Sequence, residues 1–180
     1  MQMPADVLTF WFEELRPEQW YSASDAVDAM IAGRFDALQA AAARCELFQW
    51  RTSPEGRLAE IIVLDQFSRN IYRGTAAAFA QDSLALALAQ EAVVAGADLA
   101  LEPAKRAFLY LPYMHSESVV IHDVALRLFD SAGLENNLDF EHKHKAIIDR
   151  FGRYPHRNAV LGRVSTPEEV AFLATPGSSF

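Results

Sequence analysis

The stretch HKHKAIIDRFGRYPHRN, residues 142–158, gathers three histidines and three arginines around one glycine and one proline. Guanidinium forks bind carboxylates or phosphates in bidentate fashion, and imidazoles move protons near neutral pH, so these residue types suit an anionic ligand. Phe140, His144, Ile147 and Phe151 follow helical spacing, which predicts a buried face carrying His144. Gly152 is placed to end that helix in a left-handed conformation, and Pro155 stiffens the reversal that presents His156, Arg157 and Asn158. Asn158 reads as an N-cap whose following N–H groups could add to anion binding.

A second cluster is RLAEIIVLDQFSRNIYRG, residues 57–74. At about 100° per residue, Asp65 and Arg69 share a face with Leu58, Ile61, Ile62 and Tyr72, so an acid and a base lie on an apolar stripe. Two readings follow: a buried ion pair bridging helices, or a pocket wall in which Arg69, Asn70 and Arg73 face a ligand. The third cluster is FLYLPYMHSES, residues 108–118. Pro112 is expected to interrupt helix just before Tyr113, His115 and Glu117, and Glu117 heads the face of Val120, Ile121 and Val124. Glu117 then either complements a helix N-terminus or pairs with His115 to orient a proton.

The acid–base candidates are therefore His115, Glu117 and His156, with Asp65 or Glu117 as orienting carboxylate. The ligand-binding candidates are Asp65, Arg69, Asn70, Arg73, His144, Arg153, Arg157 and Asn158. The two charged residues Asp65 and Arg69 should be buried and touch the C-terminal cluster, and all three clusters should converge on one cavity. A metal is not expected: His142 and His144 lie about 200° apart on a helix, no HExxH pattern occurs, and no P-loop, GxGxxG or GxSxG sequence points to a cofactor or a hydrolase nucleophile. His122 and His142 read as surface residues.

The elements that must position these groups are helices, because nearly every segment has helical period and almost none alternates. Pro4 suits a first turn before Val7, Leu8, Trp11 and Leu15; Asp25–Arg44 has the stripe Val27, Met30, Ile31, Phe35 and Leu38; Ser53 caps a third helix reaching about Tyr72. Further helices are expected over about Phe79–Ala95, from Pro103, from Ser116 with the face Val120, Ile121, Val124 and Leu128, through His144, and from the capping box Thr166–Glu169. The fold class is thus all-α, as antiparallel helical hairpins in one domain spanning residues 1–180, and 51% hydrophobic content supports a core.

A net charge of −8 argues against a general nucleic-acid or anionic-membrane surface, yet residues 140–163 alone carry an excess of four positive charges. Cys45 is the only cysteine, so no intrachain disulfide or cysteine-based zinc site is available, which suits a reducing compartment. The opening MQMPADVLTFWFEEL has no basic leader and Glu13 and Glu14 break its apolar run. The expectation is a cytoplasmic protein.

On LDQFSRNIYRG, FLYLPYMHSE, HKAIIDRFGRYPHRN and LGRVSTPEEVAFL, the chain resembles the bacterial family known as domain of unknown function 924. That resemblance covers about two thirds of the sequence and implies a tetratricopeptide-like stack of helical hairpins. Ser68 departs from it, standing where the family pattern usually has proline. Two functions are compatible with these residues. One is a pocket for a small anionic molecule, with catalysis by His115 or His156 as an extension; the other is a tetratricopeptide-like module that takes an acidic peptide in a groove. Oligomeric state is not legible in the sequence.

Overall fold

The computed structural model describes residues 2–179, and among these every regular element is helical. The α-helices are α1 (Pro4–Thr9), α2 (Pro17–Trp20), α3 (Asp25–Ala43), α4 (Pro54–Ile62), α5 (Ser68–Ile71), α6 (Asp82–Val94), α7 (Pro103–Met114), α8 (Val119–Phe129), α9 (Glu135–Phe151) and α10 (Pro167–Leu173). Their ends are fixed by local chemistry. Ser53 Oγ accepts from Gly56 N–H at the start of α4, Thr166 and Glu169 close a capping box on α10, and Gly96 and Gly152 take φ of 68° and 67° at helix exits.

A five-residue π turn, Val63–Phe67, joins α4 to α5 without a break, so the third expected helix runs on to Ile71. The turn matters because it carries Asp65; π turns inside α-helices re-aim side chains and recur at functional sites. Ser68, directly after it, is fully buried and its Oγ accepts a hydrogen bond from Gln39 Nε2 at 3.0 Å, which ties the segment to α3.

Consecutive long helices pack as neighbours: α6 on α7, α7 on α8, α8 on α9, with α4 against α1, α6 and α7. This order is compatible with stacked hairpins. At the centre, Phe10, Trp11, Phe35, Phe67 and Phe108 are all at or below 1% exposure, with Phe35 and Phe67 ring centres 4.8 Å apart. Aromatic rings of this size supply large buried area and prefer tilted or edge contacts, as seen between Trp11 and Phe108.

Several local expectations change. Pro112 does not stop α7, because its ring removes a single N–H while His115 N–H still reaches Leu111 O at 2.9 Å. Helix α8 begins at Val119 rather than at Ser116, whose Oγ instead accepts from Ser118 N–H. Its buried residues are His122, Ala125 and Phe129, whereas Val120 is 70% exposed. Ile121, Val124 and Leu128 of the expected face do pack against the core, but with α7 on one side and α9 on the other the most deeply buried positions shift to His122, Ala125 and Phe129. Likewise Phe140 is exposed, while Glu141 and His144 are buried on α9.

Candidate functional site

The π turn on α4–α5, the end of α7 and the start of α6 meet beside the loop after α9. Asp65, 1% exposed, is the hub. Its Oδ1 lies 2.8 Å from His115 Nδ1 and accepts from Arg69 Nη1 at 3.0 Å; its Oδ2 accepts from Gln66 Nε2 at 2.6 Å. Burial opposes charge on this carboxyl, but Arg69 and the hydrogen bonds outweigh it and hold Asp65 well below the usual carboxylate range. An ionised carboxylate only accepts, so His115 Nδ1 carries the proton and donates it to Asp65. Burial, then the charge of Arg69, pushes His115 below its ordinary value, which leaves a neutral ring with its Nε2 lone pair directed away from Asp65.

Arg69 then spans two acids. It also donates through Nη1 and Nη2 to Asp82 at 2.8 and 2.9 Å, a bidentate pair. Asp82, the first residue of α6, was not among the sequence candidates. Its place at a helix start is explained by the dipole alone, and nothing in the sequence shows that two arginines converge on it. Arg157 approaches the same Oδ2 at 3.4 Å and donates to His115 O at 3.0 Å.

Of these groups, Asp82, His115 and Arg157 line a cavity of about 310 Å3, whereas Asp65 and Arg69 do not. Asp82, His115, Ser116, Glu117 and Arg157 line its polar side, and Phe79, Leu86, Pro112 and Leu161 its apolar side. The Arg157 guanidinium is 4.6 Å from the ring centres of both Phe79 and Tyr154, sandwiched between two π faces. Arg157 is 7% exposed, and its Nε has no hydrogen-bond partner among the described residues. Burial, then repulsion from Arg69, lowers its affinity for its proton, whereas Arg69, Arg73 and Arg153 are all raised by their carboxylate partners.

That contrast sorts the sequence candidates. Arg73 and Asn70 both bind Asp28 of α3, with Asn70 Nδ2 2.7 Å from its Oδ1, and neither lines the cavity. Arg153 grips Glu169 with Nε and Nη2 at 2.6 and 2.8 Å, again outside it. Asn158 is not an N-cap: it follows the 3-10 turn Pro155–Arg157, and its side chain binds Ser165, Glu169 and Arg163 within the fold. Glu117 lines the cavity but does not pair with His115; it accepts from Tyr154 N–H at 2.7 Å and from both Arg163 Nη atoms. His144 Nδ1 donates to Phe140 O at 2.8 Å, and burial pushes this imidazole down to about 3. His156 packs its ring 5.5 Å from Tyr154 and is held at about 4, chiefly by burial, without lining the cavity.

The three clusters are joined by hydrogen bonds, His115 with Asp65 and Arg157 with the His115 carbonyl, but they do not all converge on the cavity, since no residue of 57–74 lines it. Among the described residues no hydrogen bond or ion pair joins Asp65 or Arg69 to the C-terminal cluster; Asp82 accepts from both Arg69 and Arg157 and links them. The positive excess of residues 140–163 is also largely matched, because Lys145, Arg150, Arg153 and Arg163 each hold a carboxylate. No group of three metal-ligating side chains occurs among the described residues.

The family described as bacterial protein of unknown function (DUF924) matches residues 7–177. The chain belongs to this family. It is similar to the solved structure of a protein of unknown function from Agrobacterium tumefaciens, at 40% identity and a TM-score of 0.90, over 95% of this chain and 96% of that one. No curated protein matches. Among the described residues, no helix is long and apolar enough to cross a membrane.

Proposed function

We propose that the cavity between α6, α7 and the loop after α9 binds a small anionic ligand at Arg157, and that His115 accepts a proton there with Asp65 as its orienting carboxylate. The observation that carries this is the state of Arg157: it is the buried cation on the cavity wall whose pairing is incomplete, and it donates to the backbone of the histidine beside it. Fixing Nδ1–H on Asp65 assigns the lone pair to Nε2, the arrangement that acid–base histidines share. A volume of about 310 Å3 falls at the small end of ligand sites. The groove reading, with an acidic peptide along a basic stripe, has weaker support because Arg69, Arg73 and Arg153 are already neutralised.

Nitrogen-detected NMR of the histidine side chains tests this. In the free protein His115 should show a protonated Nδ1 and an unprotonated Nε2 at pH 7. Titration with acetate or, separately, inorganic phosphate should move the His115 Nε2 resonance, and Arg157→Ala should abolish the response. If neither anion moves His115, or if the variant responds equally, the reading is wrong.

A further inference from the structure

We propose that the ligand class is a small monocarboxylate with a short apolar body, rather than a phosphate or an amino acid; this rests on the Arg157 site proposed above. Three features of the cavity converge on it. The first is charge. One guanidinium faces the space, and it is flanked on the wall by the carboxylates of Asp82 and Glu117. A single negative charge can dock on Arg157, but a second one on the same ligand group would stand beside those acids with no further cation free to meet it. Arg69 is committed to Asp65 and Asp82, and Arg163 to Glu117. Phosphate sites gather several charged donors around the group, and here one guanidinium is joined only by the neutral hydroxyls of Ser83 and Ser116.

The second feature is that the wall acids are already largely occupied, with three of about four acceptor sites filled on each. Asp82 accepts three hydrogen bonds from Arg69 and Arg157, and Glu117 accepts three from Tyr154 N–H and Arg163. A ligand amine would compete with a guanidinium that already neutralises each of them. The third is the opposite wall, where Phe79, Leu86, Pro112 and Leu161 offer apolar surface. A carboxylate on Arg157 therefore places a short hydrocarbon against those four, in a cavity that His115 also lines.

Thermal shift at matched ionic strength would compare sodium acetate, butyrate and hexanoate with inorganic phosphate, sulfate and 4-aminobutyrate. A ligand that binds only the folded state raises the midpoint. The expected order is hexanoate and butyrate above acetate, with phosphate, sulfate and 4-aminobutyrate no better than acetate, and the whole gain lost in Arg157→Ala. Saturation-transfer NMR on the wild type, with phosphate or 4-aminobutyrate competing against butyrate, reads the same preference even if the variant folds poorly. If phosphate, sulfate or 4-aminobutyrate binds better than butyrate, in an Arg157-dependent manner or by competition, the monocarboxylate class is overturned while the anion site stands. If no anion is bound, or all act equally on the variant, the Arg157 site itself is overturned.

Discussion

Two histidine–carboxylate pairs sit near each other in this fold, built from the same chemistry and put to different ends. His115 and Asp65 pair at 2.8 Å with one ring edge turned to the cavity. His122 and Glu141 pair at 2.6 Å between α8 and α9, both 0% exposed, and the other ring nitrogen of His122 lies 2.8 Å from Ser116 O. A backbone carbonyl only accepts, so His122 Nε2 carries a proton, and another proton lies between Nδ1 and Oε1. Both edges of that ring are spent. The His122 pair is a clamp, holding Ser116 and, through Tyr154 at 3.3 Å, the loop that carries Arg157.

What separates them is a neighbouring cation. Arg69 touches Asp65 and keeps it ionised against its burial, whereas burial raises Glu141 toward its neutral form despite help from His122. The largest expected effect follows from the sealed pair. His122→Ala strips Glu141 and Ser116 O of their partner in a site without water access, so it should destabilise the fold by about 3–5 kcal/mol. Urea unfolding measures this, and a loss under about 1 kcal/mol would mean that the pair is not the clamp described.

Asp65→Asn should cost less, about 1–3 kcal/mol, because Arg69 keeps both of its bonds to Asp82. The two pairs should then differ in the sign of their pH dependence. Asp65 is depressed below its ordinary 3.8, so its stabilisation is present above that pH and lost as pH falls through the folded value. Glu141 is raised above its ordinary 4.5, so its stabilisation is present below that pH and lost as pH rises through the folded value. The gap between wild type and Asp65→Asn should narrow on acidification below about pH 3.8, and the gap to Glu141→Gln should narrow on raising pH above about 4.5. Gaps that move in the same direction would break the comparison.

Much of the fold was legible because it is local. Pro4, Ser53, Gly96, Gly152 and the Thr166–Glu169 box mark helix ends through contacts within a turn, and the apolar stripe around Leu58, Ile61 and Ile62 put Asp65 in the interior and Arg69, half-buried, at its edge. The site was only half legible, since its decisive contacts join residues 50 and 75 positions apart, as in His115 with Asp65 and Arg157 with Asp82. A basic residue in sequence shows its charge but not which distant acid neutralises it. Arg153 and Arg157 look alike on one loop; Glu169 occupies the first and leaves the second to the cavity. His122 was misplaced for a related reason: its partner Glu141 sits on the next helix, and only that partner makes a buried imidazole tolerable.

The smallest predicted effect sharpens the comparison by removing a histidine from the same region that has neither burial nor an orienting carboxylate. His142 follows Glu141 on α9 but is exposed, about 100° round the helix from the clamp. If residue type governed stability here, His142→Ala and His122→Ala would have similar costs. If enclosure and partner govern it, His142→Ala should change stability by less than about 0.5 kcal/mol, as surface substitutions do, and should leave the His115 resonances unmoved. Alanine also favours helix over histidine, so a slight gain is the more natural direction. A loss above about 1 kcal/mol would show that the outer face of α9 carries a contact absent from the His122 clamp.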